Sequence, residues 1–156
     1  MNLEQVLDIL EEKRRLLLGF EEVTQRMLTC GTEQLEKEMG ERQRLLEAVQ
    51  KQERELEELC GGAGPEGEAL LEVARGQGEV SQLSGEMLRV YEKAMELRAV
   101  LSRFPESEVQ AMMRLRLEQE KLLEKIKTAN QGGAAKAARF YVTGAAQSGG
   151  GKLGKA

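Results

Sequence analysis

The chain has 156 residues, 32% of them charged and 3% aromatic, with no histidine, no tryptophan and two cysteines. That length fits one domain, and that composition suits long helices with a narrow seam of Leu, Val, Ile and Met. It argues against an enzyme or a metal centre, because a nucleophile needs a base beside it and structural zinc needs four close ligands.

The net charge of −4 is unevenly placed. Lys127, Lys136, Arg139, Lys152 and Lys155 give +5 beyond Ile126, with no acid there, which leaves −9 on residues 1–126. Five charges spread over that tail are thin for nucleic acid, whose binders cluster their basic residues. No strand-like run of useful length occurs. Aliphatic runs are no longer than Leu16-Leu17-Leu18, far short of a membrane span. The first residues have neither a basic nor a hydrophobic stretch of the signal-peptide kind, so the expectation is a soluble, cytoplasmic protein without a cofactor.

Leu3, Val6, Leu10, Leu17, Phe20 and Met27 fall at helical spacing and predict a helix over 2–29, with Lys13 and Thr24 interrupting the seam. Gly31 supplies a stop and Thr32 a cap for the next helix. That second helix, 33–60, has the seam Leu35, Met39, Leu46, Val49 and Leu56, with Arg42 and Glu53 at seam positions. Two helices of matched length on a very short connection make an antiparallel hairpin. Cys30 then lies at the turn and Cys60 at the far end, about 42 Å away. A disulfide needs Cα atoms within about 7 Å, so two free thiols are expected.

Gly61-Gly62-Ala63-Gly64-Pro65-Glu66-Gly67 is the clearest break. A third helix, 66–104, is predicted after it, with Pro65 suited to the first turn. Gly76, Gly78 and Gly85 each cost it about 1 kcal/mol, so this stretch is either soft or closely approached by another backbone. From Val80 the seam is regular through Leu83, Met87, Val90, Ala94, Leu97, Leu101 and Phe104, until Pro105 ends or kinks it. Ser107-Glu108-Val109-Gln110 fits a capping box and predicts a fourth helix over 107–130. Gly132-Gly133 breaks the pattern. Residues 131–156 read as a Gly/Ala/Lys-rich flexible tail behind a helical bundle of residues 1–130.

The expected fold is therefore all-α: an antiparallel, coiled-coil-like hairpin or bundle of three to four long helices. Two places stand out on it. Met112 and Met113, with Leu115 and Leu117, offer a polarizable, adaptable surface that suits partner helices, or else plain core packing. Phe140-Tyr141-Val142 is either a fold-back contact or a linear anchor steered by Lys136 and Arg139. Gly149-Gly150-Gly151-Lys152-Leu153-Gly154-Lys155 imitates a phosphate loop, but Ala156 stands where Ser or Thr is needed and no helix follows.

The layout and several patches resemble the flagellar type III export chaperones of the FlgN and FliT families. These patches are Thr24 near the end of the first helix, Glu41-Arg42-Gln43-Arg44-Leu45-Leu46 in the second, Ile126-Lys127 through Asn130-Gln131-Gly132, and Tyr141-Val142-Thr143-Gly144. The Asn-rich stretch of many FlgN-type proteins is missing, with Gln119 and Glu120 standing there instead. The resemblance implies a chaperone that covers a helical segment of a hook-associated or filament-cap protein and delivers it to an export gate protein. Met112, Met113, Leu115 and Leu117 would then bind cargo. Tyr141, with Phe140, would contact the gate. Neither a membrane-inserted nor a nucleic-acid-bound state is implied, and a homodimer is compatible with it. The alternative from the residues alone is a structural coiled-coil scaffold that only self-associates.

Overall fold

The computed structural model of the chain describes residues 2–83 and 85–142, with side chains described as far as Gly133. Residues 143–156, which hold the phosphate-loop imitation, lie outside the described residues. The fold is all-α. The helices are α1 (Leu3–Thr29), α2 (Thr32–Gly61), α3 (Gly64–Ala74), α4 (Gly85–Leu101) and α5 (Phe104–Val142), with a 3-10 turn at Val80–Gln82 before α4. Contacts divide the chain into two units, Met1–Met112 and Met113–Ala156.

In the first unit α1 packs on α2 and α4, and α3 packs on α2 and α4, so the helices neighbour one another in a closed ring. The main core gathers Val6, Leu10 and Leu17 of α1, Leu56 and Cys60 of α2, Leu70 and Val73 of α3, and Val90, Leu97 and Val100 of α4. A second cluster of Leu16, Val23 and Leu45 lies within the hairpin, with Phe20 against it. The two cysteines are not joined in a disulfide, and Cys60 is buried and Cys30 partly so.

The polar residues that interrupt the two seams meet each other. Lys13 pairs with Glu53, and Arg42 Nε donates to Thr24 Oγ1 at 3.2 Å. Each pair is symmetric about Glu33, as are the core partners Leu10 with Leu56 and Val6 with Cys60. One register thus satisfies the polar and the apolar positions together. The register matters because a misplaced Lys or Glu would be an unpaired charge among leucines. Glu53 also accepts from Arg75 Nη2 at 2.9 Å, which ties α2 to the end of α3. Burial pushes the Glu53 carboxyl up, but the hydrogen bonds and charges of Lys13 and Arg75 outweigh it and hold the carboxyl below its ordinary value.

Arg42 is the hub of the other pair. Its guanidinium lies 4.5 Å from the Phe20 ring centroid and pairs with Glu108 of α5. Phe20 in turn stacks on Phe104 at 5.3 Å between centroids. Arg103 grips Glu21 through both oxygens, at 2.8 and 2.9 Å. The start of α5 is thereby fastened to the hairpin.

Several sequence expectations need correction. The third helix is two helices. α3 ends in a Schellman motif, with Gly76 at φ +73, Gly76 N on Val73 O at 3.0 Å and Gln77 N on Glu72 O at 2.9 Å. Gly78 and Gly85 also have positive φ, which no continuing helix accommodates. Gly31, not Thr32, caps α2, and its φ of −67 is ordinary. Ser107 is inside α5, where its hydroxyl donates to Phe104 O at 3.1 Å instead of capping. Pro105 falls in the first turn of α5, where its missing N–H costs nothing. The backbone of α5 continues past Asn130 and Gly132-Gly133 to Val142. The alanine-rich run after these glycines has high helix propensity and offsets them.

Gly67, the last glycine of the first break, acts by contact and not by turn chemistry. A Cβ there would lie 1.8 Å from Cys60 O, so α2 and α3 meet backbone to backbone. Gly67→Ala is expected to cost about 2–3 kcal/mol in chemical denaturation. Gly40→Ala, in the open on α2, should instead stabilise by about 1 kcal/mol. Glu53 supplies a pH dependence. Its lowered folded value means that its contribution is present above the unfolded value of about 4.3 and is lost as pH falls through the folded one. Denaturation midpoints should drop on the acid side of about pH 4.3, and less steeply in Glu53→Gln, where one of the contributing carboxylates is gone.

Candidate helix-binding surface

Helix α5 begins inside the first unit, where Phe104, Glu108 and the fully buried Ala111 belong to the packed structure. The next residue, Met112, is 52% exposed, and in the second unit Met113 is 65% and Leu117 47% exposed. Leu115 is half-buried. Three of the four residues singled out from sequence are therefore on the surface of the folded chain, and core packing does not account for them. Met113 and Leu117 are one helical turn apart and share a face.

Farther along, Leu122, Leu123 and Ile126 are exposed as well. By helical spacing Leu122 and Ile126 share a stripe with Met112 and Leu115, and Met113, Leu117 and Leu123 lie off it. The signal for their exposure is the apolar character of the helix on more than one face. Between the two apolar groups lies a charged belt. Arg114 Nε stands 3.1 Å from Glu118, and Lys121 Nζ 3.5 Å from the same carboxylate. The Arg114 and Glu118 side chains are 17% and 10% exposed, so this pair lies on a shielded side of the helix, while Met113, Leu117, Leu122 and Leu123 are on the open one.

Phe140 and Tyr141 fall within the backbone span of α5, but their side chains lie outside the described residues. The structure thus gives them a helical backbone.

The first unit offers shallow polar hollows. One carries the acids Glu4, Asp8, Glu11, Glu92 and Glu96 against Arg89 and Lys93, so it is acidic on balance, with Lys93 Nζ 2.7 Å from Glu11. The hydrogen bond from Lys93 holds the Glu11 carboxyl below its ordinary value. Another lies between α1 and α2, with Ile9 and Leu59 in its floor and Asp8 and Glu55 at its edges. Burial raises the Cys60 thiol, which makes it a poor nucleophile. Among the described residues, no group of three or more His, Cys, Asp or Glu side chains is placed to hold a metal ion. No described helix is long and apolar enough to cross a membrane. Comparison with protein-family models, with curated proteins and with solved structures finds no match to this chain.

Exposure makes a stability prediction. Met113→Glu with Leu117→Glu should change the free energy of unfolding by no more than about 0.5 kcal/mol, read by denaturant titration of circular dichroism. A loss of about 2–5 kcal/mol would mean that these side chains are core.

Proposed function

We propose that the protein is a cytoplasmic export chaperone of the flagellar type. It covers an amphipathic helical segment of a hook-associated or filament-cap protein, prevents its premature assembly and delivers it to the type III export gate. The observation that carries this reading is the exposed Met112, Met113 and Leu117 on a helix whose root is fastened to a packed bundle. A cargo helix with an apolar stripe self-associates unless the stripe is covered, and methionine-rich surfaces adapt to such stripes. Leu115, half-buried beside them, would form the floor of the contact. Tyr141, with Phe140, is the anchor for the gate protein, steered by Lys136 and Arg139. Cargo and gate contacts on separate parts of one chain allow delivery without prior release.

The test is titration of the full chain with fluorescently labelled terminal helices of hook-associated and filament-cap proteins. Saturable binding is expected with one of them, weakened roughly tenfold or more by Met113→Glu with Leu117→Glu. Tyr141→Ala should leave that binding intact and reduce capture by the gate domain. If none of the helices binds, and the apolar substitutions instead disperse oligomers of the free chain, the protein is a self-associating scaffold.

A further inference from the structure

The distal part of α5 carries an apolar face that nothing described in its own unit covers. Leu122, Leu123 and Ile126 are exposed there, and Lys121, Lys125 and Lys127 surround them. Lys121, Glu124, Lys125, Thr128 and Ala129 line a shallow hollow on this helix, and Lys121 also reaches Glu118 at 3.5 Å, which leaves Lys125 and Lys127 as the cations beside the leucines with no ion pair among the described residues. From Lys125 onward the chain has no acid at all. A partner for this face must offer apolar atoms within a negative rim.

The hollow between α1 and α2 has that chemistry. Ile9 and Leu59 form its apolar floor. Asp8 and Glu55 stand at its edges, exposed and without an ion-pair partner among the described residues. Glu12, also on its border, is occupied by Arg15 at 2.5 Å. The placement of Glu55 is not a helix-stabilising one. Glu58 stands in the last turn of α2, which has no basic residue, and an acid there opposes the helix dipole, with Glu57 and Glu55 in the turn before it. Glu57 is answered by Arg75 at 2.8 Å, whereas Glu55 has no such answer among the described residues. The two surfaces also match in length. Gln5 to Glu12 and Lys121 to Thr128 each span about two helical turns.

We propose that the basic, leucine-bearing segment of α5 docks in the α1–α2 hollow of a second copy of this chain. Leu122, Leu123 and Ile126 cover Ile9 and Leu59, and Lys121 and Lys125 face Asp8 and Glu55. Exchanged reciprocally between two copies, the same contact is made twice, as in a two-fold dimer. Met112 and Met113 are not part of this contact, so it is independent of cargo binding.

The experiment is sedimentation equilibrium of the full chain over a range of concentration and salt. Wild type should form a dimer that weakens as salt rises. Asp8→Lys with Glu55→Lys should weaken it roughly tenfold or more, and Lys121→Glu with Lys125→Glu likewise. Mixing these two reversed proteins should restore dimer, because each reversed hollow again meets a segment of opposite charge. Circular dichroism checks that both are folded, and Asp8→Asn with Glu55→Gln serves if a reversal is not. A wild type that stays monomeric, reversed proteins that dimerise like wild type, or a mixture that stays monomeric would each overturn the proposal. Helix binding at the methionines should survive every one of these substitutions, so failure here is distinct from failure of the chaperone reading.

Discussion

The register of the α1–α2 hairpin is the constraint on which the rest of the first unit depends. A leucine seam alone tolerates slippage by a helical turn, since one leucine serves nearly as well as another against its neighbours. Lys13 with Glu53 and Thr24 with Arg42 remove that freedom, because any other alignment leaves a charged or polar group among apolar side chains. The use resembles the single polar seam residue that sets register in coiled coils. Here each polar pair also reaches outward. Glu53 fixes the end of α3 through Arg75, and Arg42 fixes the start of α5 through Glu108. The pairs that align the hairpin therefore also position α3 and the root of α5.

That arrangement separates two kinds of apolar surface. Residues of α1 to α4 bury much of their seams in one another, down to the backbone contact at Gly67, although Met39, Leu46 and Leu101 stay exposed. On α5 Ala111 is the last fully buried apolar residue among the described residues, with Val109 already exposed before it and Met112 exposed after it. Beyond it the charged belt around Glu118 supports the helix locally, while leucines and methionines remain at the surface. Exposed apolar side chains at helical spacing are unfavourable in water unless something covers them. The partner helix proposed at the methionines and the second copy proposed at the distal leucines would answer this requirement with different chemistry, adaptable contact in one case and charge complementarity in the other.

Much of this is legible in the sequence. The helical seam of α1, the short turn, the first-turn role of Pro65 and the separation of the two thiols come from spacing and helix geometry, whereas on α2 the expected seam residues Met39 and Leu46 are exposed and Leu45 is buried in place of Leu46. The seam interruptions Lys13, Thr24, Arg42 and Glu53 are visible too. Their pairing is not, because it depends on register, a property of two helices together. The glycines at 76, 78 and 85 are recognisably costly, but whether they soften a helix or end it is decided by positive φ and by the Schellman hydrogen bonds. Ser107 matches a capping pattern that tertiary contact overrides, since Phe104 stacks on Phe20 and starts the helix earlier. Local propensity likewise misjudges Gly132-Gly133, whose cost is offset by the alanines beyond. For the methionines, composition does not choose between core and surface, and only their exposure distinguishes the two.

The most direct test of the account is a nuclear Overhauser spectrum of the isotopically labelled full chain, recorded for side-chain contacts across the hairpin. Contacts between Lys13 and Glu53 and between Thr24 and Arg42, together with Leu10 to Leu56, are the predicted result. A set of contacts displaced by a helical turn, or contacts of these residues found only between different molecules, would contradict it.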